Sequence, residues 1–232
     1  MVFRVFVLSC VCASVVAMPS VYNNSVESQD NEVHSYNFPF VRRDQWNARA
    51  PTKTTPLSTP VPYVVIHHSY IPAACYDREK CSLAMRSMQN YHMDGHDWWD
   101  IGYHFAVGSD GAAYEGRGWE KLGAHALHFN TVSFGICLIG DWRYDLPPAH
   151  QRKTVMSLIE AGVELGYIKP DYKLVGHRQV RATECPGDAL FTEIKNWEHY
   201  SPFPSSPDDL LNVEEIPEFV KDVIRGNATI PA

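Results

Sequence analysis

Apolar and polar positions along the chain recur with two distinct periods. PYVVIHHS is a run of β-branched and aromatic residues set off by prolines, which predicts a buried strand ending in a histidine pair. In CSLAMRSMQNYHMD, Leu83, Met85, Met88 and Tyr91 recur at helical spacing, so a helix is expected to lie on the sheet there. YHFAVGSDGAAYEG alternates about Asp110 and Gly111, a hairpin signal, and SFGICLIG supplies a further buried strand. AHQRKTVMSLIEAGVELGY predicts a second amphipathic helix ending near Gly166, YKLVGH a short strand, and GDALFTEIKNW a last helix after Pro186. Strands interleaved with helices of this length predict an α/β fold, a mixed central β-sheet flanked by helices.

The two ends lack such periodicity. MVFRVFVLSCVCASVVAMPS carries one positive charge at Arg4, an apolar run from Val5 to Val16, and small residues at Val15 and Ala17, the pattern of a cleaved signal peptide over residues 1–17. A membrane anchor is the competing reading, but the run is shorter than the ~20 residues a span requires. A secreted, extracellular protein is therefore expected. Residues 18–37 read as a flexible leader, in which Asn23 is a possible glycan acceptor, as is Asn227 near the other end. The ordered domain is expected over 38–200. Residues 201–232, rich in proline, serine and acid, read as a tail that buries little, with Leu211 to Ile224 a transient amphipathic helix.

Composition and charge narrow the choices. At 232 residues and 45% apolar, the chain can bury one sizeable core. Its 20 basic residues fall to 19 when Arg4 leaves with the signal, against 27 acidic ones, a balance of about -8. Nucleic acid and membrane are excluded as general partners by that charge, and a monomer is expected. Of six cysteines, Cys10 and Cys12 leave with the signal. Cys75 and Cys81 close a short polar loop and are paired as a disulfide. Cys137 lies in an apolar strand, where a thiol behaves as a small core hydrophobe. Cys185 is left without a sulfur partner. One histidine of the strand-end pair, with His177 and Cys185, offers two nitrogen donors and one sulfur, a set suited to zinc with water in the fourth place. Histidine and cysteine eight residues apart is not a finger spacing, and each histidine alone equally reads as a hydrogen-bonded residue.

Four blocks carry a more specific signal: PVPYVVIHHSYIPAACYDREKC, WDIGYHFAVGSDGAAYEGRGW, GAHALHFNTVSFGICLIGDWR and LVGHRQVRATECPG. In this order they resemble the peptidoglycan recognition proteins, animal relatives of phage-type amidases, and are most similar to the insect LB-type members that retain activity. The resemblance implies a single zinc amidase-type domain with His67, His177 and Cys185 as zinc ligands. It assigns Tyr103 as a catalytic residue, and Thr183, where phage-type relatives carry lysine, a supporting one. His68, Ser69, His92, Trp98, His125 and Asn130 are implied as groove positions. Arg117 matches the position associated with diaminopimelate-type stem peptides, whose extra carboxylate a guanidinium can hold bidentately. Asp97 stands where such members usually carry glycine and is expected to oppose that pairing.

Zinc held by two neutral imidazoles and one thiolate retains a net +1 charge and an open position, enough to lower the pKa of a water from 15.7 to ~7. The implied activity is hydrolysis of the bond between N-acetylmuramic acid and the L-alanine that begins the stem peptide of bacterial peptidoglycan, dampening immune stimulation. A receptor that binds peptidoglycan without turnover is the alternative, and receptors of the family have often replaced this cysteine by serine.

Overall fold

A computed structural model describes residues 26–27, 33–212, 214, 218, 221, 222 and 225. The expected signal peptide, Asn23, Asn227 and most of the stretch from 211 to 224 lie outside the described residues. The chain divides into two compact units, Met1–Ser35 and Tyr36–Ala232. In the first, β1 (Val26–Glu27) and β2 (Val33–His34) pair antiparallel.

The second unit is built on a six-stranded sheet of order β3-β6-β5-β7-β4-β8. These strands are β3 (Phe40–Val41), β4 (Val61–His68), β5 (Phe105–Val107), β6 (Ala113–Glu115), β7 (Ser133–Leu138) and β8 (Ile168–Gly176). β4 runs parallel to β7 on one side and to β8 on the other, while β5 and β6 form the expected antiparallel hairpin. A strand covered on both faces reads as a continuous apolar run, which is why β4 shows no alternation until its final residues.

Side chains nevertheless alternate across the sheet, so Tyr63, Val65 and His67 face one way and Val64, Ile66 and His68 the other. On the first face α1 (Arg78–Asn90) packs Cys81, Ala84, Met85 and Met88 against Ala106, Tyr114 and Cys137, while Tyr63 and Val65 of β4 are covered by Phe129, Val180 and Leu210. The second is covered by α2 (Ala149–Glu164), where Gly162 permits close approach to the ring of Trp119, itself edge-on to Phe134. Burying each valine or isoleucine of β4 contributes ~1.5–3 kcal/mol. α1 starts at Asp77, whose carboxylate accepts from the Lys80 amide at 2.8 Å, and the Cys75–Cys81 disulfide ties its first turn to the preceding loop. Cys137 and Cys185 are free thiols.

Two expectations change here. The face of α1 is not the one expected, for Leu83 is 59% exposed and Tyr91 lies outward too. Cys81, Met85 and Met88 recur at i, i+4 and i+7 and form the true stripe, in which a half-cystine serves as an apolar position. The packed unit also exceeds 38–200 at both ends. Tyr36 stacks on Phe40 at 4.5 Å and accepts a bond from Trp119 Nε1. Beyond residue 200, Gln179 Nε2 donates to the carbonyls of Ser201 and Pro204, and Leu210, in a 3-10 helix (Pro207–Asn212), is 0% exposed among Tyr63, Phe129 and Val180. Acid and proline bias concealed one leucine with a pocket to fill. Leu210→Ala should lower unfolding free energy by about 2–4 kcal/mol, read by urea denaturation, whereas a tail that buries nothing would leave the midpoint unchanged.

Candidate metal centre and substrate groove

The centre forms where the parallel strands end. β4 terminates in His67 and His68, and β8 terminates at Gly176, so the next residue, His177, opens the short helix α3 (His177–Val180) beside them. Gln179 Oε1 accepts from the Gly176 amide at 2.8 Å and fixes the turn that presents His177. The chain then loops back to Cys185, whose carbonyl accepts from the Arg178 amide at 2.9 Å, before α4 (Asp188–Ile194). Ligand atoms of His67, His177 and Cys185 all lie within 4.8 Å of one another.

The donor chemistry fits a thiophilic divalent cation. Burial above all, then the neighbouring His177, pushes the His67 imidazole well below its ordinary pKa. Burial followed by Arg181 pushes His177 down to about 3, and its Nε2 is buried without a hydrogen-bond partner. Both rings are thus neutral, as ligands must be. The Cys185 thiol is pushed up to about 12 by burial, against the opposing pull of the His68 amide and Arg178. A buried thiolate therefore requires a cation beside it.

Around this set the structure redistributes several expected roles. His67 Nε2 is 3.0 Å from His125 Nδ1, leaving His67 Nδ1 facing the Cys185 sulfur at 3.8 Å. His125 thereby sets the tautomer and ring angle of a ligand, rather than standing in the groove as a free binding group. Its ring lies flat against β7 because position 135 is glycine: a Cβ there would fall 2.3 Å from His125 Cγ. Glycine inside a strand pattern signals close approach of another group, and SFGICLIG carried that signal unread. Asn130 Oδ1 accepts from the amides of His125 and Ala126, both at 2.9 Å, so it positions His125. His68 is buried, donates its amide to the Cys185 sulfur at 3.4 Å, and accepts from the Trp142 amide at Nδ1. Ser69 Oγ joins two segments, donating to Pro72 O and accepting from Gly140 N. Thr183 Oγ1 accepts from the Cys185 amide at 3.2 Å and steadies the ligand loop.

Three further aromatic rings continue from the ligand set. The Tyr103 ring is 5.2 Å from that of His67, His92 is 5.6 Å from Tyr103, and Trp98 stacks on His92 at 4.9 Å. His92 lies in a π-helical turn, Tyr91–Gly95, that continues α1, and such turns are frequent at functional sites. Arg117 is neither a free fork nor a solvated hairpin residue. It is buried, and its guanidinium donates to the carbonyls of Ile101 at 2.7 Å and Leu122 at 2.6 Å. Its charged neighbours are Asp100 and Arg43, and Asp97 is exposed, so the expected antagonism between Asp97 and Arg117 is not what this geometry provides. Asp97 has φ 54°, a left-handed backbone, which explains why glycine suits the position and why aspartate is tolerated.

Comparison with known proteins agrees with this arrangement. A family model described as N-acetylmuramoyl-L-alanine amidase matches residues 57–188, over half of the chain. Peptidoglycan-recognition protein LB of Drosophila melanogaster is 52% identical over 159 residues, covering 68% of each chain. The human N-acetylmuramoyl-L-alanine amidase is 45% identical over 163 residues, 68% of this chain but 28% of that longer protein. Among solved structures, wild-type Drosophila PGRP-LB superposes with TM-score 0.70 at 50% identity, covering 71% of this chain and 96% of that one. Peptidoglycan recognition protein LE in complex with tracheal cytotoxin, a monomeric diaminopimelic acid-type peptidoglycan, has TM-score 0.70 at 39% identity, covering 72% and 98%. Sheet and site thus define an amidase-type domain that acts on or recognises peptidoglycan. The chain belongs to the N-acetylmuramoyl-L-alanine amidase family, in its peptidoglycan recognition protein branch.

Two outcomes follow from the centre. Near pH 6, zinc uptake should release about one proton per ion, from Cys185, because both imidazoles are already neutral. Calorimetry in buffers of different ionisation enthalpy reads that number, and release of two or more would mean that a ligand ring binds a proton. His125→Phe, which keeps an aromatic ring on Gly135 but removes Nδ1, should weaken zinc affinity roughly 10–100-fold in chelator competition.

Proposed function

We propose that this protein is a secreted zinc-dependent N-acetylmuramoyl-L-alanine amidase that removes stem peptides from bacterial peptidoglycan and so lowers immune stimulation. The observation that carries the reading is the convergence of His67, His177 and Cys185, with the Tyr103 ring against His67. A binder has no chemical need for a buried thiol aimed at two neutral imidazoles. Zinc held there would supply Lewis-acid polarisation of the amide carbonyl and activation of water.

The remaining work falls to side chains of the chain itself. Burial first, and then Cys137 and Cys185, raises the Tyr103 pKa well above its ordinary value, so its hydroxyl stays protonated and can donate to the oxyanion as charge develops. His68 and Thr183 hold Cys185 in place through its sulfur and its amide. His92 and Trp98 extend the wall beside Tyr103, where the stem peptide would lie. Tracheal cytotoxin bound to LB- and LE-type structures supports a diaminopimelate-type stem as the substrate. The Cys75–Cys81 disulfide supports an oxidising, extracellular location. No described helix is long and apolar enough to cross a membrane.

Incubation with purified peptidoglycan, followed by mass spectrometry, should detect released peptides beginning with a free L-alanine amine. Cys185→Ser should lower that rate at least about a hundredfold, since the metal supplies several kcal/mol of charge stabilisation, while some binding to peptidoglycan survives. Unchanged release by a zinc-depleted Cys185→Ser protein would refute the metal-dependent reading.

A further inference from the structure

The second half of α2 carries a surface that neither the metal set nor its groove uses. Where it meets β8 and the segment after α4 there is a cavity of about 300 Å³, lined by none of the residues that hold or brace the metal set. Its inner side is apolar, for Ile159, Leu174 and Trp197 are all buried. Tyr172 and His199 make a wall, their rings stacked 4.2 Å apart at 22°. Glu160 and Glu164 stand one turn apart on α2 and, with Glu198, bring three exposed carboxylates to the same cavity. Among the described residues neither Glu160 nor Glu164 forms an ion pair, Glu198 faces only His199 at 3.8 Å, and no lysine or arginine lines the cavity. Burial first, then Glu198 and Glu160, pushes the Tyr172 hydroxyl up to about 12, so the ring is neutral and lies in the field of both carboxylates. His199 has a left-handed backbone, φ 63°, held by the Leu174 amide, which donates to its carbonyl at 2.8 Å. A histidine there is strained, and the strain persists because β8 fixes the turn that lays its ring on Tyr172.

We propose that this cavity binds a small organic cation of the quaternary ammonium class, its methyl groups against the aromatic rings and its charge facing Glu160, Glu164 and Glu198. The site lies outside the metal centre and does not depend on the amidase reading. Its volume falls at the lower end of the ~300–1,000 Å³ usual for small-molecule sites. Charge and surface type together select the ligand. Three carboxylates without a lysine or arginine repel an anion. A bare calcium ion needs about six to eight oxygen ligands, whereas much of this lining is ring and aliphatic carbon. A primary ammonium is a strongly hydrated point charge, and the carboxylates that would receive its hydrogen bonds stand in open solvent. A quaternary ammonium has no hydrogen bonds to place, presents an apolar methyl surface, and is attracted to the negative faces of tyrosine and tryptophan rings. Met156, 39% exposed, adds a flexible thioether that can adapt to the body of such a ligand.

The test uses the full chain, with choline as the probe and 3,3-dimethyl-1-butanol, in which carbon replaces the charged nitrogen, as its neutral counterpart. Ligand-observed NMR should show choline binding to the wild type and the alcohol binding about tenfold more weakly. Tyr172→Leu, which keeps an apolar side chain in the wall, should raise the choline Kd about three- to tenfold, and Tyr172→Phe should leave it unchanged. Glu160→Gln combined with Glu164→Gln alters only exposed side chains, so folding is not at stake. That double variant should raise the choline Kd by a similar factor, about three- to tenfold, and flatten its dependence on salt. Equal affinity for choline and the alcohol, absence of choline binding to the wild type, or an unchanged Kd in the glutamine double variant would each overturn the site. Displacement of choline by calcium would assign the carboxylates to a metal ion and overturn it as well.

Discussion

Everything at the centre depends on one constraint, that β4 is paired in parallel on both sides and covered on both faces. No ionisable group can be carried along such a strand without a large desolvation cost, so polar chemistry is possible only where it ends. There the pleat turns two adjacent histidines to opposite faces. His67 reaches the metal set beneath Tyr103, and His68 turns toward Asp141 and donates its amide to the Cys185 sulfur. The neighbouring parallel strands end at the same level, which brings His177 and Cys185 to the carboxyl edge of the sheet, the usual place for a site in folds of this kind.

The ligands are held by a larger set of groups than the three that would touch a metal. Gly135 leaves the space in which His125 packs, Asn130 holds the loop that carries His125, and His125 sets the ring of His67. On the other side Gln179 joins the start of α3 to the segment around Pro204, so the C-terminal residues brace the helix that presents His177. Mutating such outer partners costs metal affinity without removing a ligand. Ser69 and Thr183 belong to the same class, with side chains that stabilise loops.

The two sides of the centre differ in character. Toward Tyr103 the wall is aromatic and histidine-rich, with His92 neutral by burial and stacked on Trp98. Toward His68 stand Tyr70, Tyr144 and the paired charges of Asp141 and Arg143.

Much of this was present in the residues themselves. The β-branched run of β4, the hairpin at Asp110 and Gly111, the leftover Cys185 and the short Cys75–Cys81 loop are local signals, and local signals survive in one dimension. Only the tertiary structure decided that Leu83 faces water, that Leu210 fills a pocket, and that Arg117 is occupied by backbone carbonyls. These depend on what stands opposite a side chain, which lies tens of residues away and leaves no periodic trace. The same reason explains His125: His67, 3.0 Å from its Nδ1, and Gly135, where a side chain would collide with its ring, come from different strands, and only the sheet brings them together.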